Sequence, residues 1–128
     1  MKQLSLLTLF LLNSIYVLGQ EYALIPYPSS VITKKENAFE LSKASVIYYS
    51  DDELKNDANY LQNVLNSATN FKLIKTPLTG KVDNGAIILS LEKLKKATKA
   101  SYSLEISDSV IRISASESRG VFYGIQTL

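Results

Sequence analysis

Hydrophobic and polar positions recur along the chain with the periods of both strands and helices. Continuous apolar or β-branched runs at residues 46–49 and 86–91 are typical of strands covered on both faces, and the second run predicts the central strand of a sheet. Across residues 52–68, leucine and alanine return at spacings of three and four. This spacing predicts a helix that Ser50 or Asp51 caps at its N-terminus.

Shorter patterns predict further strands. Residues 31–33 and 39–41 resemble a hairpin around a polar turn, and residues 70–75 resemble a strand that Pro77 ends. The polar stretch at residues 92–100 predicts a loop with one helical turn at most.

The C-terminal part of the chain predicts a hairpin followed by a helix. Apolar and polar residues alternate over 102–106 and again over 111–115, on either side of a turn, as in an antiparallel pair with one face in water. Ser116 is placed to cap the helix that follows. Within that helix Gly120 and Gly124 each cost about 1 kcal/mol relative to alanine. They therefore indicate a close approach of the helix backbone to another element.

Strands, helices and hairpins together predict an α/β or α+β domain, in which about two helices back a mixed sheet. The pattern contains no internal repeat, and one domain fits the length of 128 residues. Leu128 continues the apolar pattern of the last helix without a stop signal, so we expect the sequence to be cut inside that helix.

The N-terminus has the pattern of a secretory signal peptide. Lys2 precedes an apolar run over residues 4–18, which ends at the junction Gly19-Gln20. A spanning helix needs about 20 predominantly apolar residues, so this run is too short. We expect residues 1–19 to be removed and residues 20–128 to form a periplasmic or secreted domain, outside the membrane after cleavage.

Composition limits the chemistry that the chain can perform. It contains no His and no Cys, which excludes disulfides, thiolate metal sites and the commonest general base and metal ligand. The net charge is only +2, and the lysines are spread among acidic residues, which argues against nucleic-acid binding. The carboxylates at residues 51–53 fit the start of a helix better than a catalytic pair. The residues themselves therefore predict no active site, no metal site and no cofactor.

Three segments together carry a family resemblance: Leu24-Ile25-Pro26-Tyr27-Pro28-Ser29-Ser30-Val31, the alternating pair at residues 101–106 and 111–115, and the closing Arg119-Gly120-Val121-Phe122-Tyr123-Gly124-Ile125-Gln126-Thr127-Leu128. In this order and spacing they resemble the N-terminal, non-catalytic domain of glycoside hydrolase family 20 β-N-acetylhexosaminidases. The most specific element is the glycine-rich, aromatic helix that follows the hairpin.

The resemblance implies a sandwich-like accessory domain that precedes a (β/α)8 barrel. In this family the parent enzyme releases terminal N-acetylhexosamine from glycans or chitin oligomers by substrate-assisted retention, and its catalytic residues lie on the barrel. The implied role of this chain is structural, and its partner is the barrel of the same parent chain. The residues expected to mediate that contact lie in the last helix: Arg119, Gly120, Phe122, Tyr123, Gly124, Gln126 and Leu128.

Two alternatives remain at the level of the sequence. The first is the analogous domain of a family 84 hexosaminidase or a family 67 α-glucuronidase, which share the general architecture. The second is a free-standing carbohydrate-binding or adhesion module, in which some of the eight tyrosines would stack on sugars.

Overall fold

The computed structural model describes residues 28–33, 37–94, 98 and 100–128. These residues form five strands and two α-helices, and a single 3-10 turn, Asp52–Leu54, leads into the first helix. In chain order the elements are β1 (Val46–Tyr49), α1 (Lys55–Thr69), β2 (Ile74–Pro77), β3 (Ala86–Leu91), β4 (Tyr102–Ile106), β5 (Val110–Ala115) and α2 (Ser118–Thr127). The predicted class, an α/β domain with a mixed sheet backed by two helices, is confirmed.

The strands form one sheet in the order β2-β1-β3-β5-β4. Strands β1, β2, β3 and β5 are parallel, and β4 pairs with β5 in the antiparallel sense, as the predicted hairpin requires. Strand β3 is central, as predicted from its continuous apolar run. Its register places Ile87 between Ile47 of β1 and Ile111 of β5, so three isoleucines lie side by side across the middle of the sheet.

The core lies between one face of the sheet and both helices. Alternate residues of β1, β3 and β5 contribute to it, and alternation in a strand places such residues on a single face. The helices contribute the buried residues Ala58 and Leu61 from α1 and Val121 and Ile125 from α2. Because the same cluster contains residues of both helices, α1 and α2 cover the same side of the sheet.

The start of the first helix follows the sequence prediction. The Asp51 side chain accepts a hydrogen bond of 2.8 Å from the backbone N–H of Glu53, which is the bond expected of an N-cap. Helix α1 ends at Thr69, where Asn70 takes the left-handed conformation with φ 58°. A helix over residues 52–68 is therefore confirmed, with its first turn in the tighter 3-10 form.

Two predicted strands differ from the structure. None of the described residues in 31–33 and 39–41 belongs to a strand, and the turn at residues 34–36 lies outside the described residues. Phe39 and Leu41 instead pack against the core from an irregular segment. Strand β2 begins at Ile74 rather than at residue 70, since the chain from Asn70 onward first closes the end of α1.

The closing residues of β2 correct the prediction further. Pro77 is its last residue rather than a residue beyond it, and it pairs with Tyr49. Strand β2 lies at the edge of the sheet, where a residue without a backbone N–H is tolerated.

The predicted cap of the last helix is also wrong. The N-cap of α2 is Glu117, whose side chain makes no capping hydrogen bond. The hydroxyl of Ser116 instead accepts a 3.4 Å hydrogen bond from the backbone N–H of Leu94, which holds the loop after β3. The described residues of that loop contain no helix. The predicted signal peptide and the first half of the opening segment that resembles the family, residues 24–27, lie outside the described residues.

In the part of the chain that the structure describes, no helix combines the length and the apolar character that crossing a membrane requires.

Candidate interaction surface on the two helices

Helix α2 contacts the sheet through its two glycines. A methyl group at Gly120 would lie 2.5 Å from the carbonyl oxygen of Ser101 and 2.7 Å from Cβ of Ala115. A methyl group at Gly124 would collide with the side chain of Ile113. The close approach predicted from the glycines is therefore confirmed, and both glycines face the domain's own sheet.

Helix α2 and Leu128, the residue that follows it, also carry exposed apolar side chains. Phe122, Tyr123 and Leu128 are 38%, 36% and 42% exposed, and on α1 the neighbouring Tyr60 and Val64 are 40% and 45% exposed. We call these five residues the apolar face. A scattered exposed apolar residue is ordinary on a protein surface, whereas a contiguous group marks an interaction site.

Aromatic contacts make the apolar face continuous across the two helices. The ring of Phe122 lies 5.6 Å from that of Tyr60 on α1 and 6.1 Å from that of Tyr123, measured between centroids. Both pairs are tilted, as aromatic rings prefer at this separation. The side-chain amide of Gln126 donates a 3.1 Å hydrogen bond to the hydroxyl of Tyr60 and links the helices a second time.

A shallow groove of about 270 Å³ lies beside these rings, between α1 and α2. Its walls are formed by Tyr60, Leu61, Val64, Leu65, Ile125, Gln126 and Leu128, none of which is charged. An uncharged groove bordered by exposed rings is suited to apolar side chains of another protein surface.

The structure separates the residues expected to mediate a domain contact into two groups. Gly120 and Gly124 face the sheet, so they position the helix and cannot touch a partner. The others are exposed on α2 or directly after it, and they remain candidates: Arg119, Phe122, Tyr123, Gln126 and Leu128.

Sequence reasoning missed the contribution of α1 to this surface. Leu54, Ala58, Leu61 and Leu65 already form a complete apolar stripe for the core, so the apolar residues Tyr60 and Val64 are in excess of what the core needs. That excess was visible in the sequence. Its connection with the last helix was not, because it depends on how the helices pack.

Sequence reasoning also missed a buried carboxyl group, that of Asp57. Asp57 lies within the same apolar stripe of α1 and is only 8% exposed. Its Oδ2 accepts a 2.7 Å hydrogen bond from the hydroxyl of Ser118, the first residue of α2. Burial raises the pKa of Asp57 above its ordinary value; the Ser118 hydrogen bond lowers this pKa, and the nearby charge of Glu53 raises it.

Other polar side chains have structural partners. The hydroxyl of the buried Ser90 donates a 2.8 Å hydrogen bond to the carboxylate of Glu92 and accepts one of 2.9 Å from the hydroxyl of the buried Ser114. Among the described residues no buried side-chain oxygen or nitrogen lacks a hydrogen-bond partner. The same residues contain no group of three or more His, Cys, Asp or Glu placed to hold a metal ion.

Comparison with known proteins agrees with the fold. The family model "Glycosyl hydrolase family 20, domain 2" matches residues 21–128. No curated protein matches the chain significantly.

Solved structures of two bacterial enzymes are similar to this chain. The GH20 beta-N-acetylhexosaminidase from Streptomyces coelicolor is 25% identical with a TM-score of 0.70, and the match covers 82% of this chain and 20% of that one. A mutant Streptomyces plicatus beta-hexosaminidase, in complex with its product GlcNAc, is 27% identical with a TM-score of 0.72, over 81% of this chain and 20% of that one.

This chain therefore spans about a fifth of the length of the hexosaminidases that it matches. The family model covers all but its first 20 residues. The resemblance drawn from the sequence is confirmed: the chain belongs to glycosyl hydrolase family 20, of which it carries the accessory domain called domain 2.

Proposed function

We propose that this chain is the non-catalytic accessory domain of a secreted β-N-acetylhexosaminidase, and that its apolar face packs against the catalytic barrel of the same enzyme. The parent enzyme would release terminal N-acetylhexosamine from glycans or chitin oligomers. The observation that carries the proposal is the apolar face, which is continuous over two helices of a domain that matches a fifth of each hexosaminidase.

The energetics favour a covered apolar face. Full burial of one large apolar side chain is worth about 1.5–3 kcal/mol. Since the five side chains are each 36–45% exposed, covering what remains is worth about 1 kcal/mol per side chain. A partner that covers all five would therefore stabilise the domain by a few kcal/mol.

The acidic residues support a non-catalytic role. Glycoside hydrolysis requires carboxyl groups placed on either side of a bound sugar. Asp51 caps a helix, Asp57 is buried against Ser118, and Glu92 accepts a hydrogen bond from a buried serine. Each of these carboxylates therefore already has a structural task.

Sedimentation velocity over a range of concentrations tests the role of the apolar face. Without a partner, the protein should self-associate through this surface, and Phe122→Ser should weaken the association. Ile74→Ser is the matched control, because Ile74 is 65% exposed but lies on the edge strand β2. It should leave the association unchanged.

Three results would contradict the proposal. The first is a wild-type protein that stays monomeric at every concentration. The second is an equal effect of Phe122→Ser and Ile74→Ser on the association. The third is hydrolysis of a chromogenic N-acetylglucosaminide that Asp51→Asn or Glu53→Gln abolishes.

A further inference from the structure

Asp57 is placed unusually for an aspartate. It lies in the first turn of α1, where acidic residues are common, but it points inward and is 8% exposed. Its neighbours along the helix, Leu54, Ala58 and Leu61, are at most 2% exposed. A carboxyl group in such surroundings loses hydration, and this loss penalises its charged form.

The one side-chain hydrogen bond described for this carboxyl group crosses to the other helix. The hydroxyl of Ser118 donates to Oδ2 over 2.7 Å, although the two residues are 61 positions apart in the chain. Ser118 begins α2, whose N-cap residue Glu117 provides no side-chain bond of its own. The pair therefore links the first turn of α1 to the first turn of α2, which has no side-chain N-cap.

The charges around Asp57 do not compensate its burial. Glu53, in the preceding 3-10 turn, faces it with a charge of the same sign. On α2 the contacting group is the neutral Ser118 hydroxyl, and the charged residues on either side of it, Glu117 and Arg119, are exposed. Among the described residues, no cation acts on the pKa of Asp57.

We propose that Asp57 and Ser118 form a pH-dependent lock between the starts of α1 and α2: ionisation of Asp57 leaves a charge buried between the helices that the Ser118 hydroxyl compensates only in part, so the packing of the two helices is less stable once the proton is lost. The proposal rests on the contact between the helices and is independent of any partner of the apolar face.

The direction of the pH effect follows from the raised pKa of Asp57. In the unfolded chain this group ionises at its ordinary pKa, and in the folded chain it ionises at higher pH. Its contribution to stability is therefore fully present below the unfolded pKa and is lost as the pH rises through the folded one. Each unit of difference between the two values changes the folding equilibrium about tenfold.

Urea unfolding of the whole chain between pH 4 and pH 7 tests the lock, with wild type compared to Asp57→Asn. Asparagine keeps the shape of the side chain and cannot ionise. We expect wild type to lose stability relative to Asp57→Asn as the pH rises. Asp52→Asn is the control, because Asp52 is an exposed acid in the adjacent 3-10 turn and should change with pH as wild type does.

NMR titration of the carboxyl groups gives a second measurement that does not need the Asn variant to fold. The Asp57 carboxyl carbon should titrate above the ordinary pKa of an aspartate, because burial raises this pKa. Ser118→Ala should move it higher still, since the hydroxyl favours the charged form. Parallel pH profiles of wild type and Asp57→Asn, or an Asp57 midpoint that Ser118→Ala leaves unchanged or lowers, would overturn the proposal.

Discussion

Replacement of Gly120 by alanine tests whether α2 packs against the sheet as closely as the structure shows. An added methyl group would lie 2.5 Å from the Ser101 carbonyl oxygen and 2.7 Å from Cβ of Ala115. Carbon atoms make favourable contacts at about 3.5–4.0 Å. Both obstacles are part of, or attached directly to, the backbone, so no side chain can rotate away. The helix itself must move from the sheet by about 1 Å to restore normal contact.

Two effects oppose each other in this substitution. Alanine is favoured over glycine inside a helix by about 1 kcal/mol. Added volume in a packed core costs typically 1–3 kcal/mol. Because a shift of α2 would also disturb Val121 and Ile125, which are 0% and 7% exposed, the cost should lie at the upper end. We expect a net loss of about 1–2 kcal/mol in the free energy of unfolding, the difference between these two effects.

Urea denaturation followed by circular dichroism measures this loss. Gly80→Ala is the matched control, since a methyl group there meets nothing within 4 Å. That variant should be as stable as wild type or slightly more stable. If Gly120→Ala proves equally stable, the helix does not pack as closely as described, and the steric reading of both helix glycines is wrong.

Two further predictions concern the start of α1 and the N-terminus. Asp51→Ala removes the acceptor for the Glu53 backbone N–H and should lower the free energy of unfolding by about 1 kcal/mol, while Asp52→Ala should cost less; equal losses in urea denaturation would contradict the cap. When the chain is exported from a Gram-negative host, mass spectrometry should find a mature N-terminus within a few residues of Gln20, and a soluble product with Met1 intact would refute the signal peptide.

The sequence predicted best those strands whose pattern of apolar and polar residues follows directly from burial of the strand. Strand β3 is apolar except for the hydrogen-bonded Ser90 because both its faces are covered: Ile87 and Leu89 lie in the helix-covered core, and Ile88 on the other face is 1% exposed. The hairpin of β4 and β5 alternates because its apolar residues, Ile111 and Ile113 among them, lie on the face that packs in the core. In both cases burial imposes a period on the sequence, and the period can be recognised without the structure.

The wrong predictions concern places where a distant contact decides the local conformation. Phe39 and Leu41 have the spacing of a strand, yet they pack on the core from a segment without strand pairing. Ser116 has the type and position of a helix cap, but its hydroxyl binds the loop after β3. These contacts are made with residues far away in the sequence. Local propensity therefore predicted a strand and a helix cap instead.

Only the part of the candidate site that lies on α2 could be predicted from the sequence, because only that part depends on a local pattern. Within α2, two glycines four residues apart predict the side that packs closely on another element. The large apolar residues beside them predict a surface that is available for a further contact. Tyr60 and Asp57 acquire their roles from α2, the first through Phe122 and Gln126 and the second through Ser118. Their place could be known only after the two helices were packed together.

Helix α2 therefore divides three tasks among its sides, and this division allows the proposals to be tested separately. Gly120 and Gly124 seat the helix on the sheet, Ser118 secures its start to α1, and Phe122 and Tyr123 face outward. A substitution at Gly120 or Gly124 should alter stability at every pH. A substitution at Asp57 or Ser118 should alter the dependence of stability on pH. A change at the outward side should alter association while leaving most of the core intact, since Phe122 is not among the buried core residues. A single variant that changed all three properties together would show that these sides of the helix are not independent.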